Sequence, residues 1–230
     1  MANSFQNEQE APELVTIAEL AERIVFRLPG CSDVAIRKTI QEVYREFCRE
    51  TQCLTANRAI PLVSGCARYP VVPVFGGVVG EVRKVRIGNG ELVQGRDYVL
   101  EDGTSKCIVL NRSFLPTERR SGENTPDGAI VSYSPVVNTS VPADKRVMVV
   151  TAYEFPKVGS ESAPSWFVEK HGDAIVSGVM ARLCAMSGRA WSDAQVAAEE
   201  RIRYENFKSE ARMEREVPKM GRFIDTSMTL

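Results

Sequence analysis

The chain has 230 residues and a mass of 25.5 kDa, with 43% apolar and 26% charged residues, close to the globular average of roughly 45–50% and 25%. This composition excludes a disordered body, and the length suits one large domain or one core carrying an insertion. A formal charge of −1 and a pI near 6.0, with no block of Lys and Arg, argue against sequence-specific capture of nucleic acid.

The longest uncharged apolar stretch, around Val71–Val79, is cut by Pro73 and two glycines and falls far short of the ~20 residues a membrane helix needs. The first ten residues have neither a basic region nor an apolar one, so the expectation is cytoplasmic synthesis. Residues 1–13 are polar and aperiodic and read as a flexible arm.

Thr16-Ile-Ala-Glu19 has the pattern of a capping box, and Ile17, Leu20, Ile24 and Leu28 then recur at helical spacing until Pro29-Gly30. A second start at Ser32-Asp33 leads into Ile36, Ile40, Val43, Tyr44 and Phe47, one face of an amphipathic helix reaching about Thr51. From about Asn57 to Phe155 Pro and Gly punctuate short runs: Arg68–Phe75, Val78–Ile87, Asp97–Leu100, Cys107–Leu110, Ala129–Tyr133 and Arg146–Tyr153. These predict a β block of about six strands or more, with a tight hairpin at Asn89-Gly90. The polar stretch Ser113–Asp127 predicts a projecting loop.

After Pro164, Phe167, Ile175, Val179, Met180, Leu183 and Met186 keep helical spacing up to Gly188. Ser192-Asp-Ala-Gln195 is a second capping-box pattern. It opens a charged helix with a narrow stripe of Val196, Ala197, Tyr204, Phe207 and Ala211, which packs partly on its own core or against a neighbouring chain. The fold class expected is α+β. Residues 14–56 and 157–216 form a four-helix bundle, 57–156 an inserted antiparallel β domain, and 217–230 a tail.

Signatures of catalysis are missing from the sequence. His171 is the only histidine, G-x-S-x-G is absent, and the glycine runs at 76–80 and 88–95 lack a Walker lysine and the G-x-G-x-x-G register. Six cysteines at irregular spacing form no zinc pattern and read as buried thiols, with Cys48 and Cys184 on apolar helix faces. Glu101-Asp102-Gly103 reads as a turn, not a calcium loop. The expectation is therefore no enzyme, no cofactor and no metal.

Three stretches resemble the head-to-tail adaptor proteins of tailed bacteriophages. The first runs from Leu28-Pro-Gly-Cys-Ser-Asp33 through the helix to Thr51. The second is the β block, with Val82-Arg-Lys-Val85, the hairpin, and Asp127–Tyr133 followed by Pro135. The third and most specific is Pro164–Leu183, then Met186-Ser-Gly-Arg-Ala-Trp191-Ser-Asp193, then Ala197–Phe207. In it Ala174, Gly178 and Ala181 let helices approach closely and Trp191 fills the turn.

The resemblance implies a structural virion protein: a twelve-subunit ring between the dodecameric portal and a tail nozzle or tail-completion protein, assembled in the host cytoplasm. Double-stranded DNA would pass through it without sequence readout, and no membrane is involved. Docking on the portal is expected of Arg212 and Arg215 and of the tail residues Lys219, Met220, Arg222, Phe223, Ile224, Met228 and Leu230. Subunit contacts are expected of Arg201, Tyr204, Phe207 and Lys208, and tail or lumen contacts of Arg112, Arg119 and Arg120. Another tail or neck component, or a cytoplasmic hydrolase, remains the alternative.

Overall fold

The computed structural model describes residues 13–63, 66–103, 106–111 and 147–216. The chain is mixed α+β, with four helices and antiparallel ladders among these residues, and divides into two compact units. Residues 55–155 contribute one unit and the chain on either side of them the other.

The first unit starts with a strand, not a helix. β1 (Leu14–Thr16) pairs antiparallel with β9 (Ser162–Pro164), so Thr16 lies in a ladder and caps nothing. Its helix, α1 (Ala18–Val25), begins after Ile17, which makes no side-chain cap. The capping-box reading at Thr16 is therefore corrected. The Ile17 amide donates instead to the Glu161 carbonyl across the ribbon, at 3.0 Å.

α2 (Asp33–Thr51) follows the sequence closely. Ser32 accepts a hydrogen bond from the Ala35 amide, and Gln52, with φ of 54°, closes the helix in the left-handed conformation, its amide donating to the Cys48 carbonyl. Ile36, Ile40, Val43, Tyr44 and Phe47 are all buried, the periodic face that the charges leave uncovered.

α3 (Ser165–Cys184) is buried nearly all round and packs against α1, α2 and α4 (Ala194–Glu216). It ends before Gly188, whose φ of 73° belongs to the following turn. The α4 cap sits one residue beyond the expected position: Asp193 Oδ1 accepts from the Gln195 and Val196 amides, both at 3.0 Å. Ser192 is engaged elsewhere, donating to the Met186 carbonyl and accepting from the Arg189 amide.

Among its described residues the second unit has two antiparallel sheets. One has the order β2 (Thr55–Pro61), β8 (Val147–Phe155), β4 (Val78–Ile87), β5 (Gly90–Leu92); the other β3 (Arg68–Pro70), β7 (Cys107–Leu110), β6 (Tyr98–Glu101). One apolar cluster joins them, with Tyr69, Tyr98 and Ile108 from the second sheet meeting Val82, Val85, Met148 and Val150 from the first.

On β8 Met148, Val150 and Ala152 point inward with the two-residue period of a strand. On β4 the buried residues are Val79, Val82 and Val85, three apart, because register shifts leave Gly80 and Arg83 without partners on β8. Each bulge inserts one residue and returns the next valine to the core.

Two details of this unit differ from the sequence reading. Arg68–Phe75 is not one strand: β3 stops at Pro70, and beyond Pro73 the Val74 and Phe75 amides donate to the buried Glu154 carboxylate, at 2.5 and 2.9 Å. Proline cannot donate to a ladder, and a carboxylate has captured the next two donors. The hairpin between β4 and β5 pairs Ile87 with Gly90, so its positive φ falls on Gly88, at 59°, and not on Asn89-Gly90. The expected strand at Ala129–Tyr133 and the expected loop at Ser113–Asp127 lie outside the described residues.

Candidate functional site

One cluster of charged and hydrogen-bonding side chains in the helical unit forms where α4 lies along α2. Tyr204 projects from α4 into the core, 5% exposed, with its hydroxyl 3.5 Å from the Val43 carbonyl. Burial, reinforced by the nearby Glu46 carboxylate, drives its phenol far above the usual range, so it stays neutral. One turn on, the Lys208 ammonium sits 4.7 Å from the centre of the Tyr204 ring and reaches Glu50 at 3.0 Å and Glu205 at 2.6 Å.

Lys208 is 5% exposed. Burial lowers its pKa, but hydrogen bonds to Glu205 and Glu50 outweigh burial and hold it above the ordinary lysine value. Arg212 adds a second cation to Glu50, with Nη2 3.2 Å from Oε2 and Nε 3.3 Å from the backbone carbonyl. Arg215 donates to Gln52 Oε1 at 2.7 Å. Glu50, one of many charged residues on α2 and unmarked by any motif, thus joins α4 to the end of α2.

These contacts fix where the expected site residues lie. Of the four assigned to subunit contacts, Tyr204 and Lys208 point into their own chain, Phe207 is half-buried and Arg201 is exposed. Tyr204 and Lys208 pack within their own chain, where burial leaves them little surface to offer a neighbour. Arg212 and Arg215 remain partly exposed while bound to α2 and its cap. Lys219, Met220, Arg222, Phe223, Ile224, Met228 and Leu230, together with Arg112, Arg119 and Arg120, lie outside the described residues.

An open groove of about 740 Å³ follows α2 from Lys38 to Glu50 and is completed by Val158, Gly159 and Arg182. Its carboxylates are engaged: Arg182 from α3 pairs with Glu46 and lies 3.7 Å from Glu42, while Glu50 holds Lys208 and Arg212. Among the described residues its walls carry no histidine, thiol or hydroxyl, and each acid already faces a cation. Such a groove suits a charged protein segment better than a small apolar ligand.

Among the described residues no group of three or more His, Cys, Asp or Glu side chains is placed to hold a metal ion, and no helix is long and apolar enough to cross a membrane. Neither a protein-family model nor a curated protein matches the chain. The resemblance to phage adaptors therefore rests on the three stretches of sequence that carry it.

The thiols and the single imidazole are part of the packing. Cys48, Cys107 and Cys184 are buried and take part in no disulfide. Burial raises Cys48, whose thiol hydrogen bond to Cys53 lowers the Cys53 pKa. His171 stacks obliquely between Phe47 and Phe167, with ring centres at 5.3 and 5.2 Å.

Burial, helped by the Lys170 charge and opposed by Glu214, pushes His171 below its ordinary pKa of 6.5. The unfolded chain takes up this proton near pH 6.5 and the fold only at lower pH, so acidification between those values favours unfolding. Denaturant midpoints measured at pH 7.5 and 5.5 will show the protein losing stability on acidification, and a His171→Gln variant losing less. Equal losses in both would exclude a buried neutral imidazole.

Proposed function

We propose that the chain is a head-to-tail adaptor of a tailed bacteriophage, a non-enzymatic subunit of a dodecameric ring. One side of the ring binds the portal and the other carries the tail, and double-stranded DNA passes through the centre. In this reading the helical unit is a four-helix bundle, the β unit is its insertion, and the protein resides at the neck of the virion. The observation that carries it is the stretch from Pro164 to Phe207: two helices joined by a short link holding Trp191, with Gly178 at a close helix approach, in the order that the resemblance requires.

A ring subunit works through geometry and association. Identical copies around one axis make heterologous contacts, so each must present two different faces to its neighbours. Firmly built helices suit that task, and Glu50 with Lys208 and Arg212 ties α4 to α2. The groove along α2, charged and open, supports a role in protein contact over one in catalysis.

The test is to mix the protein with its cognate portal ring and examine the product by cryo-electron microscopy and mass photometry. Full-length chain is compared with a version ending at Glu216. A symmetric ring on the portal that is lost on truncation is the expected result. A chain that stays monomeric and ignores the portal would remove the adaptor reading.

A further inference from the structure

α4 has two faces with different uses. The inner one carries Ala197, Tyr204, Lys208 and Ala211, all buried against the rest of the unit. The outer one carries Ile202, Asn206, Ser209 and Met213, all exposed, spaced four, three and four residues apart. Ile202 is 64% and Met213 59% exposed, the two large apolar side chains left in water on a helix whose other exposed residues are charged, polar or alanine. Spacing of this kind is the seam of a two-helix coiled coil, with Ile202 and Ser209 at one seam position and Asn206 and Met213 at the other.

We propose that the free protein pairs with a second copy of itself through this face, α4 against α4 in antiparallel orientation. Antiparallel alignment sets Ile202 against the second copy's Met213, and Asn206 against its Ser209. The apolar residues then cover each other at both ends, and an amide meets a hydroxyl in the middle, where each can donate and accept.

Charge decides the orientation. In the antiparallel register Arg203 falls beside the second copy's Glu210, and Glu205 beside its Arg212. The two-fold axis repeats both, which gives four pairs of opposite sign. A parallel pair would instead set Glu205 beside Glu210 on both flanks, like charges in contact. Glu205 and Arg212 also bind Lys208 and Glu50 within their own chain, which holds them at the edge of the seam. By sequence the next seam positions outward, 199 and 216, are both glutamates, so the pairing is confined to the stretch from Ile202 to Met213.

That stretch is shorter than a standard interface of roughly 800 Å² per partner, so the pair is weak and reversible. A two-fold pair uses one patch twice, whereas a cyclic ring joins two different patches. The pair therefore belongs to the free chain and must open before α4 can serve in a ring. The inference does not depend on the adaptor reading, because pairing needs no portal.

The test is sedimentation equilibrium of the full chain over a wide concentration range. A monomer–dimer equilibrium is expected. Arg203→Glu should raise its dissociation constant about tenfold, since it replaces two exposed attractions with repulsions. The exchanged variant R203E/E210R should return it toward the starting value. Arg203 also lies 3.5 Å from Glu200, so Ile202→Lys, at an exposed position, provides a second disruption, with circular dichroism checking the fold.

Direction is read by cysteine exchange. Ile202→Cys mixed with Met213→Cys should yield a disulfide mapped by mass spectrometry to residues 202 and 213 of different copies. Ile202→Cys alone should yield none at 202, where the two positions lie about 16 Å apart along the axis. Sedimentation independent of concentration, a 202-to-202 disulfide, or no recovery in the exchanged variant would each overturn the proposal.

Discussion

Replacing Phe167 with alanine will cost the helical unit about 3–5 kcal/mol, the range for emptying a well-packed aromatic site. Phe167 is fully buried, and its ring lies 4.8 Å from Tyr44, 6.1 Å from Phe47 and 5.2 Å from His171, measured between centres. The neighbours cannot simply close the space. Tyr44 and Phe47 are one turn apart on α2, while Phe167 opens α3 directly after the β1–β9 ribbon, where the Ser165 amide donates to the Glu13 carbonyl. Truncation removes the transfer energy of the ring and leaves a cavity that rigid helices keep open. Since whole domains are stable by roughly 5–15 kcal/mol, a loss of this size consumes much of the total. Guanidinium unfolding followed by circular dichroism measures it, with Phe167→Leu expected to lose about 1–2 kcal/mol. A loss below about 1 kcal/mol for the alanine variant would mean that the ring is not at the centre of the unit.

The helices were largely legible because their signals are local. α2 shows its cap, its period and its end within twenty or so residues of sequence, and Ser32 does what a cap residue should. Elsewhere a distant partner takes the group whose local signal points to another role. Thr16 looks like a cap until Ser162, far along the chain, is known to pair with it. The run to Phe75 looks like a strand until Glu154 removes two of its amides.

The β4 bulges had one visible sign, Gly80 inside a valine-rich run, and the second bulge, at Arg83, had none. At the candidate site the periodicity of α4 found Tyr204 and Ala211 but could not say whose core they enter. A lysine on a charged helix reads as solvated; Lys208 is buried where α4 lies on α2, with Glu50 of that distant helix joining Glu205 around its ammonium. The outer stripe of α4 was hidden for a related reason. Ile202 and Met213 look like stray apolar residues until the inner face is known and the opposite side can be read as a row.

Gly178 offers the sharpest test of how the helices meet, because helix propensity and packing predict opposite signs. Alanine is favoured over glycine inside a helix by about 1 kcal/mol, so on an open face the substitution would stabilise α3. Here a Cβ would stand 2.7 Å from Val43 Cγ1 and 2.9 Å from Tyr204 Cε2, closer than carbon atoms approach without something moving. Neither neighbour has room to give. Val43 is fully buried on α2, and the Tyr204 ring is held from α4 with the Lys208 ammonium near its centre. The clash therefore outweighs the propensity gain, and Gly178→Ala should lose a net 1–2 kcal/mol, while the branched side chain of Gly178→Val should lose about 3 kcal/mol. Val43→Ala removes the nearest methyl, so a double-mutant cycle with Gly178→Ala should show a favourable coupling of about 1 kcal/mol. If Gly178→Ala instead stabilises the protein, α2, α3 and α4 do not converge on this residue.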